Sequence, residues 1–255
     1  MILAIDMGNT NIVIGGIDEE KIYFLERITT DRGRTDLEYA VNIKNIFEIH
    51  KIEADTIEGC IISSVVPPLN NTIFSALGKI TGKKSILVRH NMNTGLCIDM
   101  DNPQSVGADL IVDSVAAMAE YPLPLAVIDM GTATTIFVVD EEKKFIGGII
   151  HPGLRVSLDS LSSRTAQLPH INLEYPSRII SKNTIESMRS GILYGHAGMI
   201  DGCISNMEEE LQKKLTAIAT GGLAQFIAPL CRHRVIVDDH LLLKGLLILY
   251  RKNQD

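Results

Sequence analysis

The chain repeats itself at half its length. Residues 4–15 read AIDMGNTNIVIG and residues 127–138 read VIDMGTATTIFV, so Asp6 and Asp129 stand 123 positions apart in a chain of 255. Each copy is an apolar run ending in Ile-Asp-Met-Gly, a short Thr/Asn turn, and a second β-branched run. That pattern predicts a β-hairpin. A repeat at this period predicts two lobes of similar topology, each opened by the same hairpin. The expected division is an N-terminal lobe over 1–115 and a C-terminal lobe over 116–255.

Between the two copies, strands and helices alternate. Strands are expected at 21–29, 57–64 and 85–88, and Thr35 with Glu38 has the spacing of a capping box opening a helix to about His50. The Pro67-Pro68 pair breaks the chain before a helix through Leu77. Leu110, Ile111, Val115 and Met118 recur at helical spacing over 106–121, the helix expected to lead into the second lobe. After the second hairpin come a strand at 145–153, a helical stretch SLDSLSSRTAQL, and a long helix from near Asn183 to about Lys214. Strand LTAIAT, the Gly221-Gly222 turn, a helix, strand VIVDD and helix LLLKGLLILY close the chain. Such alternation predicts an α/β architecture with helix-covered sheets.

Composition limits the partners. The 24 Lys and Arg against 31 Asp and Glu give a net charge of −7, with no basic block. Nucleic acid and anionic membranes, which need clustered positive charge, are therefore not expected partners. The opening MILAIDMGNT lacks a basic n-region, and Asp6 interrupts its apolar run, so no signal peptide is expected. No apolar run approaches the roughly 18 residues of a membrane span. Cys60, Cys97, Cys203 and Cys231 are scattered without CxxC spacing and read as free thiols in a reducing cytoplasm.

The hairpin turns carry the chemistry. In Asp6-Met7-Gly8-Asn9-Thr10-Asn11, Gly8 permits a tight turn, and the polar residues gather backbone NH and side-chain groups where an anion could sit. A phosphate there would be repelled by Asp6 unless a cation lay between them, which suggests magnesium bridging to nucleotide oxygens. Taken alone, the motif also reads as an ordinary hairpin whose Asp caps its own turn. The second copy, from Asp129 through Gly131, Thr132, Thr134 and Thr135, favours the phosphate reading, since two such turns could grip a phosphate chain from both sides. A third element, Ala219-Thr220-Gly221-Gly222-Leu223-Ala224, is a strand running into a side-chain-free turn that a flat adenine or ribose could approach.

In this order and spacing the three elements resemble the phosphate-1, phosphate-2 and adenosine motifs of the acetate and sugar kinase, heat-shock chaperone and actin superfamily. The resemblance implies a two-lobed actin-like ATPase (ribonuclease H-like) fold. Further segments narrow it: Val65-Val66-Pro67-Pro68, Asn102-Pro103, Val106-Gly107-Ala108-Asp109, Gly147-Gly148, Pro152-Gly153, Leu168-Pro169 and Lys182-Asn183-Thr184 resemble type III pantothenate kinases. That likeness implies phosphoryl transfer from ATP to the hydroxyl of pantothenate, the first step towards coenzyme A. It also implies a cytoplasmic homodimer that shares its active site between subunits and uses magnesium and a monovalent cation, potassium or ammonium.

Carried over residue by residue, Asp109 matches the family's catalytic base, Asp6 the residue near magnesium and nucleotide, and Asp129 the monovalent-cation ligand. The phosphate-1 turn and the start of its second strand, Asp6 through Ile12 and Val13, match ATP contacts, as do Thr132, Gly221 and Gly222. Gly107, Ala108, Asp109, Leu110, Met100 and Thr184 fall at the pantothenate site. By residue chemistry alone, Asp109 could instead complement the positive end of its helix, worth about 0.3–1 kcal/mol. Thr184 could instead belong to a helix cap in which Asn183 is the better N-cap.

Two positions depart from the family. Leu110 stands where Arg usually follows the catalytic Asp, and Met100 where an aromatic residue, most often Tyr, is usual. The nucleotide motifs are intact, so a kinase of this fold acting on another small hydroxyl compound, or a nucleotide-binding paralogue without catalysis, are the alternative readings. Arg155 could supply a replacement charge or be a solvated loop residue. Gly78-Lys-Ile-Thr-Gly82-Lys83-Lys84-Ser85 has the wrong spacing for a P-loop and reads as a helix-to-strand loop. Gly191, Gly195, Gly198 and Gly202 share one helix face and suggest close packing, by a neighbouring element or a dimer partner.

Overall fold

The computed structural model describes residues 1–254. In chain order the elements are β1 (Ile2–Met7), β2 (Asn11–Ile17), β3 (Ile22–Thr29), α1 (Asp36–His50), β4 (Cys60–Ser64), α2 (Asn70–Thr81), β5 (Ser85–Leu87), β6 (Cys97–Ile98) and α3 (Ala108–Glu120). Then follow β7 (Leu125–Met130), β8 (Ala133–Val139), β9 (Lys144–Pro152), α4 (Leu154–Arg164), α5 (Thr184–Leu211), β10 (Thr216–Thr220), α6 (Ala224–Ile227), β11 (Val235–Val237) and α7 (Leu241–Lys252). No helix among the described residues is long and apolar enough to cross a membrane.

The chain divides into two compact units. The first comprises Met1–Leu96, Asp101–Ala116 and the segment from His240 onward; the second comprises Cys97–Met100 and Ala117–Asp239. The sequence places 116–255 together, but α7 packs with the first unit. Gly245 explains the fit: a Cβ there would stand 2.1 Å from the carbonyl oxygen of Val112, so only a glycine lets α7 lie against the α3 backbone.

In the first unit five strands lie in the order β3-β2-β1-β4-β5, with β1 antiparallel to β2 and parallel to β4. Central β1 is apolar apart from Asp6 because helices cover both its faces. Leu3, Ile5 and Met7 join Tyr39, Ile43 and Phe47 of α1 and Ile73 and Leu77 of α2 in one core. Truncating one such buried aliphatic side chain to Ala typically costs about 2–5 kcal/mol. The α1 capping box forms as expected: Glu38 Oε2 accepts from the Thr35 amide at 2.8 Å, and Thr35 Oγ1 accepts from the Glu38 amide at 3.3 Å. The expected loop over Gly78–Ser85 is shorter than the sequence suggests: α2 continues through Gly78 to Thr81, and only Gly82–Lys84, with Gly82 at φ +63° ending the helix, connect it to β5.

The second unit repeats the plan around β7, with strand order β11-β10-β7-β8-β9-β6. Asn183 caps α5, its Oδ1 accepting from the Glu186 amide at 2.9 Å. Helix α4 begins earlier and ends earlier than the sequence suggests. Gly153 precedes its first turn, and the chain is extended by Thr165, where a Ser/Thr-rich run competes poorly for helix. α5 stops at Leu211 because Gln212 adopts the left-handed conformation, φ 54°, a stop with no glycine to announce it. Among the described residues nothing outside their own helix packs on Gly191, Gly195, Gly198 and Gly202: a Cβ at each would meet no neighbouring atom within 4 Å. The buried face of α5 is instead formed by residues including Met188, Leu193, Ala197, Ile200 and Ile204.

Candidate active site

The first unit gathers its polar groups at the carboxyl ends of parallel β1 and β4. The turn after β1 is closed by the Gly8 amide donating to the Asn11 carbonyl at 3.0 Å. It is braced from outside: Thr30 donates its hydroxyl to the Gly8 carbonyl at 2.7 Å and its amide to the Thr10 carbonyl at 3.0 Å. Arg32 Nη2 donates to Asn9 Oδ1 at 3.2 Å. Asn9 and Thr10 remain exposed, while Asn11 and Val13 are half-buried and Met7 and Ile12 belong to the core. The turn therefore presents polar groups on a fixed backbone, as an anion cradle requires.

Asp6 sits opposite Val13 on β2 and opposite Ser63 on β4. Asp6 Oδ1 and Ser63 Oγ are both buried, and although the Ser63 hydroxyl lies close enough to act on Asp6, neither atom makes a hydrogen bond of good geometry. Burial pushes the Asp6 carboxyl up to about 7, and the negative charge of Asp109 adds to this; the Ser63 hydroxyl and Arg27 pull the other way. Two carboxyls that disfavour each other's ionisation are an environment ready to accept a cation. A buried carboxyl beside the Ser63 hydroxyl supplies hard oxygen ligands of the kind magnesium prefers.

Asp109 lies in the first turn of α3. Gly107 makes room for it, since a Cβ at 107 would stand 2.3 Å from Asp109 Oδ1. Burial raises its proton affinity, opposed by the backbone amides of Leu110 and of Asp109 itself. The Leu110 amide donates to Asp109 Oδ1 at 2.9 Å, and the Leu110 side chain offers no polar atom. Asp6, Asp109, Gly107, Ala108, Leu110 and the phosphate-1 turn thus lie in one compact unit.

The second unit builds a matching cluster at the end of β7. Gly221, at φ +91°, approaches so closely that a Cβ would stand 2.8 Å from Asp129 Oδ1. Gly153 is pressed onto the phosphate-2 turn, its amide donating to the Thr132 carbonyl at 3.1 Å, and a Cβ there would clash with the Gly131 and Thr132 carbonyls. Asp129, Thr132 and Gly221 converge. Met100 belongs to this unit too; its Sδ lies 3.5 Å from where a Gly147 side chain would begin. Thr184 lines an open groove of about 680 Å³ with Gln167, Pro169, Asn183, Ile185 and Glu186. Arg155 is exposed on α4.

Two features escape the sequence. Ser63 reads as the end of an apolar strand, and only the register sets it beside Asp6. Behind the second hairpin, buried His196 of α5 meets Thr134 Oγ1 at 2.9 Å, and the His151 ring crosses it edge-on at 5.5 Å. Burial, then the His151 charge, lowers His196 to about 4, so it is neutral at physiological pH.

The family model described as type III pantothenate kinase matches residues 2–206. A type III pantothenate kinase of Bacillus cytotoxicus is 44% identical over 253 residues, covering 99% of this chain and 97% of the relative. Another from an Exiguobacterium species is 42% identical over 254 residues, covering 100% of both. Among solved structures, a ROK hexokinase from Thermus thermophilus is similar with a TM-score of 0.52 at 11% identity, covering 98% of each chain. This agrees with a two-lobed actin-like ATPase fold with duplicated, hairpin-led halves. By the family match and its full-length relatives, the chain belongs to the type III pantothenate kinase family.

Proposed function

We propose that this protein phosphorylates pantothenate with ATP, yielding 4'-phosphopantothenate as the first step of coenzyme A synthesis. The observation that carries the reading is the pair Asp6 and Asp109 in the first unit, one with an orphaned oxygen beside a phosphate-sized turn, the other at the start of α3. Asp109 accepts the proton of the pantothenate hydroxyl as that oxygen bonds to the terminal phosphorus and the bond from that phosphorus to the bridging oxygen breaks, releasing ADP. In phosphoryl transfer, positioning and charge stabilisation carry most of the rate, so a single carboxylate of this kind is enough protein chemistry.

In the first unit Asp6 through Val13 are assigned to the phosphate chain; in the second, Thr132, Gly221 and Gly222 are assigned to ATP. Asp6 would hold magnesium, which when bound neutralises developing charge on the phosphate oxygens. Asp129 would hold potassium or ammonium. Gly107, Ala108, Leu110, Met100 and Thr184 are assigned to the acceptor. The reading includes a homodimer, supported by the uncovered glycine face of α5, and action in the cytoplasm, as the family resemblance implies.

A second reading rests on Leu110 and Met100, which leave the acceptor groups supplied by this chain less polar than the family's pattern: a kinase of the same fold acting on another small hydroxyl compound. A coupled ADP-release assay with pantothenate and a panel of small alcohols, in sodium and in potassium, separates the two. Turnover with pantothenate alone is the expected result; turnover only with another alcohol selects the second reading, and no ADP release with any acceptor rejects both.

A further inference from the structure

The two hairpin-led sheets can be compared position by position. In the first unit, strand register sets Arg27, Val13, Asp6 and Ser63 directly opposite one another across β3, β2, β1 and β4. In the second, the corresponding row across β9, β8, β7 and β10 is Ile150, Thr135, Asp129 and Thr220. Three positions are chemically alike or small between the rows: Asp with Asp, Ser with Thr, Val with Thr. The fourth is not. Ile150, 74% exposed, stands where the first unit has Arg27.

The fold itself therefore does not demand a cation at this outer-strand position, since the duplicate carries an exposed isoleucine there. Residues directly opposite in a sheet project from the same face. Arg27 thus shares a face with Asp6, two strands away, or roughly 10 Å between Cα atoms at the usual strand spacing. Half-buried Val13 forms a low platform between them. Among the described residues Arg27 makes no ion pair within contact distance; its charge reaches Asp6 only from afar, and the far end of its row holds the buried Asp6 Oδ1 and Ser63 Oγ, neither in a hydrogen bond of good geometry. Arg27 is itself exposed, and its guanidinium turned inward over Val13 would cover much of the gap. A tetrahedral oxyanion would close the rest, in contact with Arg27 on one side and the turn amides on the other.

We propose that Arg27 is a phosphate-binding residue, its guanidinium holding the terminal phosphates of the nucleotide over Val13. The assignment rests on the reading of the first unit as part of an ATP site. The competing view is a solvated surface arginine, which a net-charge control isolates.

The test is equilibrium binding of ATP and of adenosine, with magnesium, to the parent, Arg27→Gln, Arg27→Lys and Lys44→Gln, the last removing an exposed charge on α1. Arg27→Gln is expected to weaken ATP roughly 10- to 100-fold, to leave adenosine within about 2-fold on the same grounds, and to be partly rescued by Arg27→Lys. Thermal melting of each variant without ligand separates a folding defect from a binding one. Equal ATP affinity in the parent and Arg27→Gln overturns the proposal while leaving the kinase reading intact. So does a loss shared by Lys44→Gln, or a parallel loss for ATP and adenosine. Failure of the parent to bind ATP removes the ATP site and Arg27's role with it.

Discussion

Asp6 and Ser63 stand directly opposite each other on neighbouring parallel strands, and each keeps a buried side-chain oxygen outside any hydrogen bond of good geometry. An orphaned buried polar group costs about 1–3 kcal/mol. Such strain is commonly stored at functional sites and relieved by ligand. The stability of the empty protein and its activity should therefore pull in opposite directions at this position.

Asp6→Asn tests that opposition. Burial raises the folded-state carboxyl to about 7 from 3.8, so the folded state binds more protons than the unfolded state between those values. Its ionisation then disfavours folding increasingly as pH rises from about 4 to 7. Without ligands, Asp6→Asn should melt higher than the parent at pH 8 and match it near pH 4, with each kcal/mol worth roughly 2–4 °C. Magnesium and ATP should stabilise the parent more than the variant. A variant that melts lower at pH 8 would show that the carboxylate is stabilising in the empty site.

Asp109→Asn should fold and bind ATP as the parent does, yet lose roughly 100- to 10,000-fold in turnover, the usual contribution of a positioned base. Its amide can still accept from the Leu110 NH, so the helix start is preserved. Turnover within a few-fold of the parent would remove Asp109 from that role.

Much of this was legible in the residues. The matched Ile-Asp-Met-Gly runs announced the two central strands, and Thr35 with Glu38 and Asn183 announced the helix starts, because hairpins and caps are encoded locally. What stayed hidden depends on register and packing. Ser63 becomes notable only opposite Asp6, and Arg27 only opposite Val13. α7 joins the first unit through the contact of Gly245 with the Val112 backbone, which no local pattern signals. The glycine run on α5 suggested packing that the single chain does not supply.

His196 gives a pH signature. Its folded-state value, about 4, lies below the ordinary 6.5 of a histidine, so between them the unfolded chain takes up a proton that the folded one refuses. The stability this group contributes is present above about 6.5 and is lost as pH falls toward 4. His196→Gln, which can still meet Thr134, should show a smaller drop in urea midpoint between pH 7.5 and pH 5 than the parent. Equal drops would place the acid sensitivity elsewhere.

Leu110 and Met100 bear on the acceptor. Leu110 follows Asp109 on α3 and offers no donor, where family members commonly carry a guanidinium; Met100 rests on Gly147 and supplies volume without a hydroxyl. If pantothenate's polar groups lack partners there, binding weakens by about 1–3 kcal/mol, roughly 5- to 150-fold. Leu110→Arg, alone and with Met100→Tyr, should then raise kcat/KM for pantothenate within that range while the KM for ATP stays unchanged. If the parent already turns over pantothenate efficiently and both reversions only harm it, other residues supply the missing contacts, and exposed Arg155 on α4 is the first to substitute.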